Sequence, residues 1–412
     1  MAIEEFKSWY LKYYRESPVM MFFLTIMSAV LLITVILSAV SSDYFLSVIG
    51  KMSQHVFMDY FWSVSDSINN PYTEYHVIYP PLAVCIYSLI GRYTLPFVDH
   101  AYGDPYLDMY NSQVPMILFI ILLGCGIFLL LSLIKHALPS ETDDWRNMLF
   151  IALCLLSLPM IIAIQNGNNI IYIAFLSLLF LLGYNSEKKW IRYCSYVILG
   201  IIAGFKFLPA LLGLLIIREG RYKEFLFCVV IAIIIALGPI IFTDGTLQQV
   251  MENILTIDSE LGGSINNISK ISAFISDSLG VPAIETAGTV VLIIVMVLGI
   301  LILAMDRQMK LWKLVTLAAC LFILGPGVGT PYMYIYLIPA IVFLVRSESE
   351  LTTELKIYIV LISLPLMLFS MDVVYIKVGA TVVLLAMLLY EGVSDLWAQF
   401  RIKYQARQAT VQ

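Results

Sequence analysis

Charge is scarce in this chain: of its 412 residues, 13% are Asp, Glu, Lys or Arg while 60% are hydrophobic, and the mean hydropathy is +0.90. A water-soluble domain carries about 25% charged residues, so the polar groups needed to cover a water-facing surface are missing. Nucleic-acid modules, secreted disulfide domains and cytosolic enzymes are thereby excluded. Cys85, Cys125, Cys154, Cys194, Cys228 and Cys320 all lie inside or at the edge of apolar blocks, with no Cys-x-x-Cys spacing, and read as packing residues. His55, His76, His100 and His136 are scattered without a His-x-x-x-His pair, so no metal site is expected. A Walker A loop, a Rossmann glycine fingerprint and a His-Glu-x-x-His helix are absent too, as is any detectable internal repeat. The missing period-2 alternation rules out a membrane β-barrel.

What the chain does have is apolar blocks of roughly 15 to 22 residues, enough for a helix to cross a hydrocarbon core about 30 Å thick. Residues 19–40 form the first, too long for a signal-peptide core, and read as a retained span. Further spans are expected at 114–134, 148–164, 170–184, 194–217, 225–242, 283–305, 314–324, 332–345, 357–371 and 378–390. Positive charge marks one face. It clusters at Lys188, Lys189 and Arg192; at Arg218, Arg221 and Lys223; at Arg307, Lys310 and Lys313; at Arg346 and Lys356; and at Arg401, Lys403 and Arg407, which read as cytoplasmic loops and tail. Lys7, Lys12 and Arg15 put the N-terminus on that face as well. The prediction is an all-α polytopic membrane protein of about 10 to 13 transmembrane helices. It would comprise one integral-membrane domain over 1–390, with outer loops at 41–76 and 243–282, and a cytoplasmic basic tail over 391–412.

The block 194–217 has a basic cluster on both sides, which a single crossing would place on opposite faces. A hairpin resolves this: the chain rises, turns at Lys206-Phe207-Leu208-Pro209, where the proline breaks the helix, and returns. Lys206 then lies at the tip within the outer half of the membrane, and an ionisable residue there is a candidate functional site. A continuous span with a snorkelling lysine is the alternative. The short block 78–89 stays open as a span, a re-entrant piece or an interfacial helix.

Four polar segments fall on the outer face: 57–81, the connector 165–169, the long loop 243–282 and 325–334. In the first, Asp59 lies among Phe57, Tyr60, Phe61 and Trp62. Partial burial raises a carboxylate pKa and aromatic rings stack on pyranose faces, so Asp59 suits a general base acting on a sugar hydroxyl; the alternative is a solvated loop aspartate. Asp66, seven residues on, competes with it. Lys206 with Gln165, Asn166, Asn168 and Asn169 offers a cation and amides able to bind a lipid phosphate. Asn168 equally suits the N-cap of the helix from Ile170. Asn267-Ile268-Ser269 is a glycosylation sequon. No Asp-x-Asp occurs, Asp258-Ser259-Glu260 being the nearest approach, so a glycosyl donor here would be lipid-linked rather than nucleotide-linked.

Taken in order, these residues resemble the GT-C glycosyltransferases, and within them family 87, the polyprenol-phosphate-sugar-dependent mannosyl- and arabinosyltransferase type. The likeness runs over roughly residues 20–345: Asp59 after the first span, Asn70-Pro71-Tyr72, Tyr79-Pro80-Pro81-Leu82, the connector Gly167-Asn168, and Gly200-x-x-x-Gly204-x-Lys206-x-x-Pro209. Ser264-Ile265-Asn266-Asn267-Ile268-Ser269 and Pro331-Tyr332 complete it. Many relatives carry Gly-Gln at the connector, whereas here Gln165 precedes Asn166-Gly167. The resemblance implies a GT-C-like bundle whose extracytoplasmic loops form the active site, and an inverting transfer with Asp59 as general base and Lys206 at the donor phosphate. It leaves Asp66, Tyr79, Gln165, Asn168, Asn266 and Tyr332 as substrate-binding candidates. It further implies a polyprenyl-phosphate-linked sugar donor, a glycan or glycolipid acceptor, membrane lipids as surroundings, no nucleic acid and no metal or other cofactor, in a multi-pass protein of the plasma membrane. A transporter or flippase of lipid-linked saccharides is the alternative; few midplane charges and no repeat weigh against it.

Overall fold

The computed structural model describes residues 2–41, 43–44, 48, 56–139, 144–260, 268–326, 330–367 and 374–411. The described residues hold nineteen α-helices, four 3-10 helices and no strand. Five helices are long and apolar enough to cross a membrane alone: Pro18–Val40, Gln113–Ala137, Tyr222–Phe242, Ala283–Met305 and Tyr375–Ile402. Their outward faces stay apolar and exposed, as at Ile117, Ile120, Ile121 and Phe128 of the second and Ile293 and Ile294 of the fourth. Lipid tails satisfy such a surface, whereas water would not. The block at 148–164 is broken: Trp145–Leu155 and Leu158–Asn166 meet at 54°. At the break the Ser157 hydroxyl donates to the Cys154 carbonyl at 2.7 Å, and Pro159 has no N–H to continue the ladder.

Other apolar blocks form shorter helices because protein encloses them. Leu311–Leu324 is buried at every residue from Trp312 to Leu324, and Leu337–Ser347 from Leu337 to Val345. Since lipid is as apolar as leucine, contact between such helices rests on close fit more than on the hydrophobic effect. At Gly200 a Cβ would stand 3.2 Å from the Ala232 α-carbon, so the missing side chain lets Lys189–Phe205 lie directly against Tyr222–Leu237.

The chain over 194–217 folds back. Lys189–Phe205 stops at Lys206, whose backbone is extended (φ -149°, ψ 129°); Leu208–Gly213 follows as a 3-10 helix with Pro209 in its first turn, and Leu214–Arg218 returns. A Cβ on Gly213 would approach Leu199 to 2.9 Å, where a continuous helix would hold the two about 21 Å apart. The flanking basic clusters therefore meet. Arg192 pairs with Glu224 at 2.8 Å, and Arg221 donates to the Tyr184 carbonyl at 3.4 Å. Arg218 donates onward to the carbonyls of Asp306, Arg307 and Met309. Lys310 pairs with Glu348 at 2.8 Å, and Lys313 lies between Glu354 and Glu391 at 2.9 and 2.6 Å. The loops carrying the first four basic clusters are thus laced into one polar end of the bundle.

Helices leaving that end deliver their far ends to the opposite one. Lys189–Phe205 brings Lys206, Ile170–Gly183 begins beside Asn168 and Asn169, and the 3-10 helix Pro331–Tyr336 brings Tyr332. Here the block at 78–89 is the helix Pro81–Thr94, whose 14 residues reach only about 21 Å and do not cross alone. It lies beside Met58–Asp66 and Gly238–Phe242, with the Cys85 thiol donating to the Pro239 carbonyl at 3.4 Å. The stretch 243–282 holds two helices, Leu247–Glu260 and Ile268–Leu279, and the residues expected as a tail continue the helix Val374–Val411.

Candidate active site

Asp59 occupies the first turn of Met58–Asp66. Phe57 before it is left-handed (φ 63°), a conformation that costs a non-glycine residue on the order of 1 kcal/mol. Its N–H donates to the Gln165 carbonyl at 2.7 Å, which fastens the Asp59 helix to the connector. That connector turns on Gly167 (φ 66°), the left-handed cap of Leu158–Asn166. A Cβ at this position would also lie 3.0 Å from Phe119 and 3.1 Å from Tyr60. The turn aims Asn168. Its Nδ2 donates to Asp59 Oδ2 at 2.7 Å while its Oδ1 accepts from the Ile170 N–H at 2.9 Å, so one side chain both steadies the start of Ile170–Gly183 and fixes the carboxylate. Burial pushes the Asp59 carboxyl above its ordinary value, opposed by the Asn168 hydrogen bond and the Lys206 charge.

Lys206 arrives from the tip of the fold-back, its Nζ 5.3 Å from the centre of the Tyr332 ring, a cation–π distance. Tyr79 and Tyr87 close the other side with ring centroids 5.7 Å apart, and Asn169 Nδ2 donates to the Tyr87 hydroxyl at 3.0 Å. All three tyrosines lie near enough to feel the Asp59 charge. A clamp between distant loops sets the backbone at Tyr79. Tyr72, fully buried, donates its hydroxyl to the Tyr79 carbonyl at 2.9 Å; Asp244 accepts from the N–H groups of Tyr72 and Thr73 at 3.2 and 3.1 Å and from the Thr73 hydroxyl. Asn253 adds a bond to the Tyr72 carbonyl at 3.1 Å. Burial at Asp244 is outweighed by these hydrogen bonds, which hold its carboxyl below the usual range.

Asp59, Asn168, Tyr79, Lys206 and Tyr332 are thus brought to one place. Gln165 reaches it through its backbone carbonyl. Asp66 does not: two turns further along the helix, it lines a separate cleft with Trp62, Tyr75 and Asp104. Asn266 and the sequon's Asn267 lie outside the described residues. Sequence reasoning passed over Tyr87, although the stripe Val84, Tyr87, Gly91 at helical spacing marks the buried face of Pro81–Thr94. Beside Lys206 an apolar groove of about 310 Å³ runs between Leu199, Ala203 and Phe207 on one wall and Phe225, Ala232 and Ile233 on the other.

These features define a multi-pass, all-α membrane protein whose polar residues gather where its helices end. A model of glycosyltransferase family 87 matches residues 75–326, more than half of the chain, and the chain belongs to that family: it is a glycosyltransferase. Tyr79, Asn168 and Lys206 fall within the matched residues, while Asp59 and Tyr332 lie on either side of them. No curated protein and no solved structure matches the chain.

Proposed function

We propose that this glycosyltransferase moves a sugar from a polyprenyl-phosphate donor to a hydroxyl of a glycan or glycolipid, with inversion at the anomeric carbon, on the extracytoplasmic face of the plasma membrane. The observation that carries the reading is the Asp59–Asn168 pair facing Lys206 at the tip of the fold-back, with the apolar groove alongside. The two halves of such a donor need different surroundings: Lys206 supplies a cation for the phosphate, and the groove supplies a dry wall for the isoprenoid. Asp59 takes the proton from the acceptor hydroxyl. The freed oxygen attacks the anomeric carbon opposite the phosphate, and the carbon–oxygen bond to phosphate breaks with its electron pair. Polyprenyl phosphate leaves, and Lys206 offsets the negative charge that grows on it in the transition state. Tyr332 steadies the ammonium, while Tyr79 and Tyr87 offer ring faces and hydroxyls to the sugar. Positive loops stay in the cytoplasm, which puts both termini there and the site outside.

Purified protein in lipid nanodiscs, assayed with polyprenyl-phosphate sugars, tests this. Asp59→Asn is expected to lower transfer by about 10²- to 10⁴-fold, the usual contribution of a general base, while donor binding persists. Full activity in that variant overturns the assignment. Lys206→Ala is expected to weaken donor binding, and an unchanged donor Kd would remove Lys206 from the site.

A further inference from the structure

The helix Pro81–Thr94 has two polar faces. Tyr87 turns toward Tyr79 and Asp59, whereas Cys85, Ser88, Leu89 and Arg92, at helical spacing on the opposite side, line a cleft of about 430 Å³. Residues 67–71 and 242–244 form its other walls. Arg92 is exposed in the last turn of the helix, and its Nη2 donates to the Ile68 carbonyl at 3.2 Å, just beyond the helix that carries Asp59. A guanidinium has five N–H donors, and among the described residues this bond occupies one of them. Ser67 lines the same cleft at 1% exposure, and its hydroxyl has no hydrogen-bond partner among the described residues. A buried hydroxyl left so is unfavourable until a further group meets it. Asp244 also borders the cleft, but both its oxygens already accept hydrogen bonds from Tyr72 and Thr73.

The cleft lies where the membrane-crossing helix Tyr222–Phe242 ends. Leu89 is 71% exposed and Phe242 78% exposed in its walls, an apolar surface that lipid tails satisfy and water does not. A cation and hydroxyls bordered by lipid-facing side chains, at the level where a span gives way to headgroups, complement an amphiphile that carries a phosphate. A soluble phosphate ester would meet the charge and leave Leu89 and Phe242 in water; a neutral glycolipid would cover those two and leave the guanidinium without an anion. We infer that this cleft holds the phosphate of a bilayer phospholipid, with Arg92 donating to two of its oxygens, Ser67 and Ser88 adding their hydroxyls, and the acyl chains lying against Leu89 and Phe242. Ser67 caps the helix that carries Asp59, and Arg92 ends the one that carries Tyr87, so the lipid braces both helices from the side away from Lys206.

The test is native mass spectrometry and thermal unfolding of the full chain in dodecyl maltoside, a detergent without phosphate. The probes are phosphatidylglycerol, digalactosyldiacylglycerol with the same acyl chains, and free glycerol 3-phosphate. Phosphatidylglycerol is expected to stay bound and to raise the thermal midpoint more than the galactolipid does, while glycerol 3-phosphate at the same concentration does neither. Arg92→Gln keeps a donor for the Ile68 carbonyl, yet it should weaken phosphatidylglycerol about tenfold, the order of one charge-assisted hydrogen bond, and remove the gain in midpoint. Ser67→Ala should weaken it by a smaller factor. Asp59→Asn and Lys206→Ala should bind it as the native chain does. Equal retention of the two lipids, or phosphatidylglycerol binding indifferent to Arg92→Gln, overturns the site. Glycerol 3-phosphate binding as tightly as the lipid would replace the phospholipid by a free phosphate ester, and binding lost in Lys206→Ala would move the lipid to the groove beside Lys206; either overturns the inference. None of these outcomes bears on transfer by Asp59, which has its own assay.

Discussion

At Asp59 three influences compete over one proton: burial raises its pKa, and the Asn168 amide and the Lys206 charge lower it. Transfer needs the ionised form, so kcat/KM should rise along an acid limb displaced upward from that of an exposed carboxylate, whose pKa is roughly 3.9. Lys206→Met removes a charge that favours ionisation, so the limb should move to still higher pH. An unmoved limb in a pH–rate profile would separate the titrating base from Asp59. The same shift bears on stability. Because the folded pKa lies above the unfolded one, the unfolded chain releases this proton first as pH rises; stability falls between the two values and stays reduced above both. Asp59→Asn should therefore raise the thermal midpoint in detergent at neutral pH, and the gain should vanish at a pH well below the ordinary carboxylate value. A variant that is dead yet more stable is the signature of a carboxylate held for chemistry, whereas a solvated aspartate would show neither change.

Among the elements, the connector between Leu158–Asn166 and Ile170–Gly183 does the most with the least chain. Gly167→Ala is expected to cost about 1 to 2 kcal/mol from the left-handed backbone alone, with the Phe119 and Tyr60 contacts added. Its effect on rate should be larger, because displacing Asn168 displaces Asp59, and a shift of about 1 Å in a reacting group can cost 10²-fold. Thermal unfolding and transfer rate measured on one preparation separate the two, and unchanged transfer would mean that the connector does not set the site. Much at this scale was legible. Long apolar runs marked the five long helices, and charge parity exposed the fold-back at Lys206. The helix Pro81–Thr94 stayed ambiguous because a short apolar run reads alike as span or interfacial piece. The clamp joining Tyr72 and Thr73 to Asp244 was not readable at all. Its partners lie 172 and 171 residues apart, and no local pattern encodes a pairing that exists only once the helices are packed.

The whole molecule has two ends of different chemistry, and scarcity of charge is what makes them distinct. The loops carrying the first four positive clusters are tied together at one end, through Arg192–Glu224, Arg218 with the 306–309 loop, Lys310–Glu348 and Lys313–Glu391. Lys206 stands at the other. That the basic loops gather at one end and that Asp59 and Lys206 fall at the other was legible from loop positions. That Asp59 and Lys206 come near each other was not, since it depends on how far the fold-back penetrates. The orientation has a direct check. With the six native cysteines replaced, Glu74→Cys and Gln248→Cys sit on exposed positions at the site end, and Lys223→Cys sits at the basic end. A membrane-impermeant maleimide should label the first two on intact cells and the third only after permeabilisation. The reverse order would turn the molecule over and put the chemistry in the cytoplasm, where a nucleotide-linked donor is at hand. Labelling of Glu74→Cys and Gln248→Cys from opposite sides would contradict the bundle itself, because the Tyr72–Asp244 clamp holds their loops together.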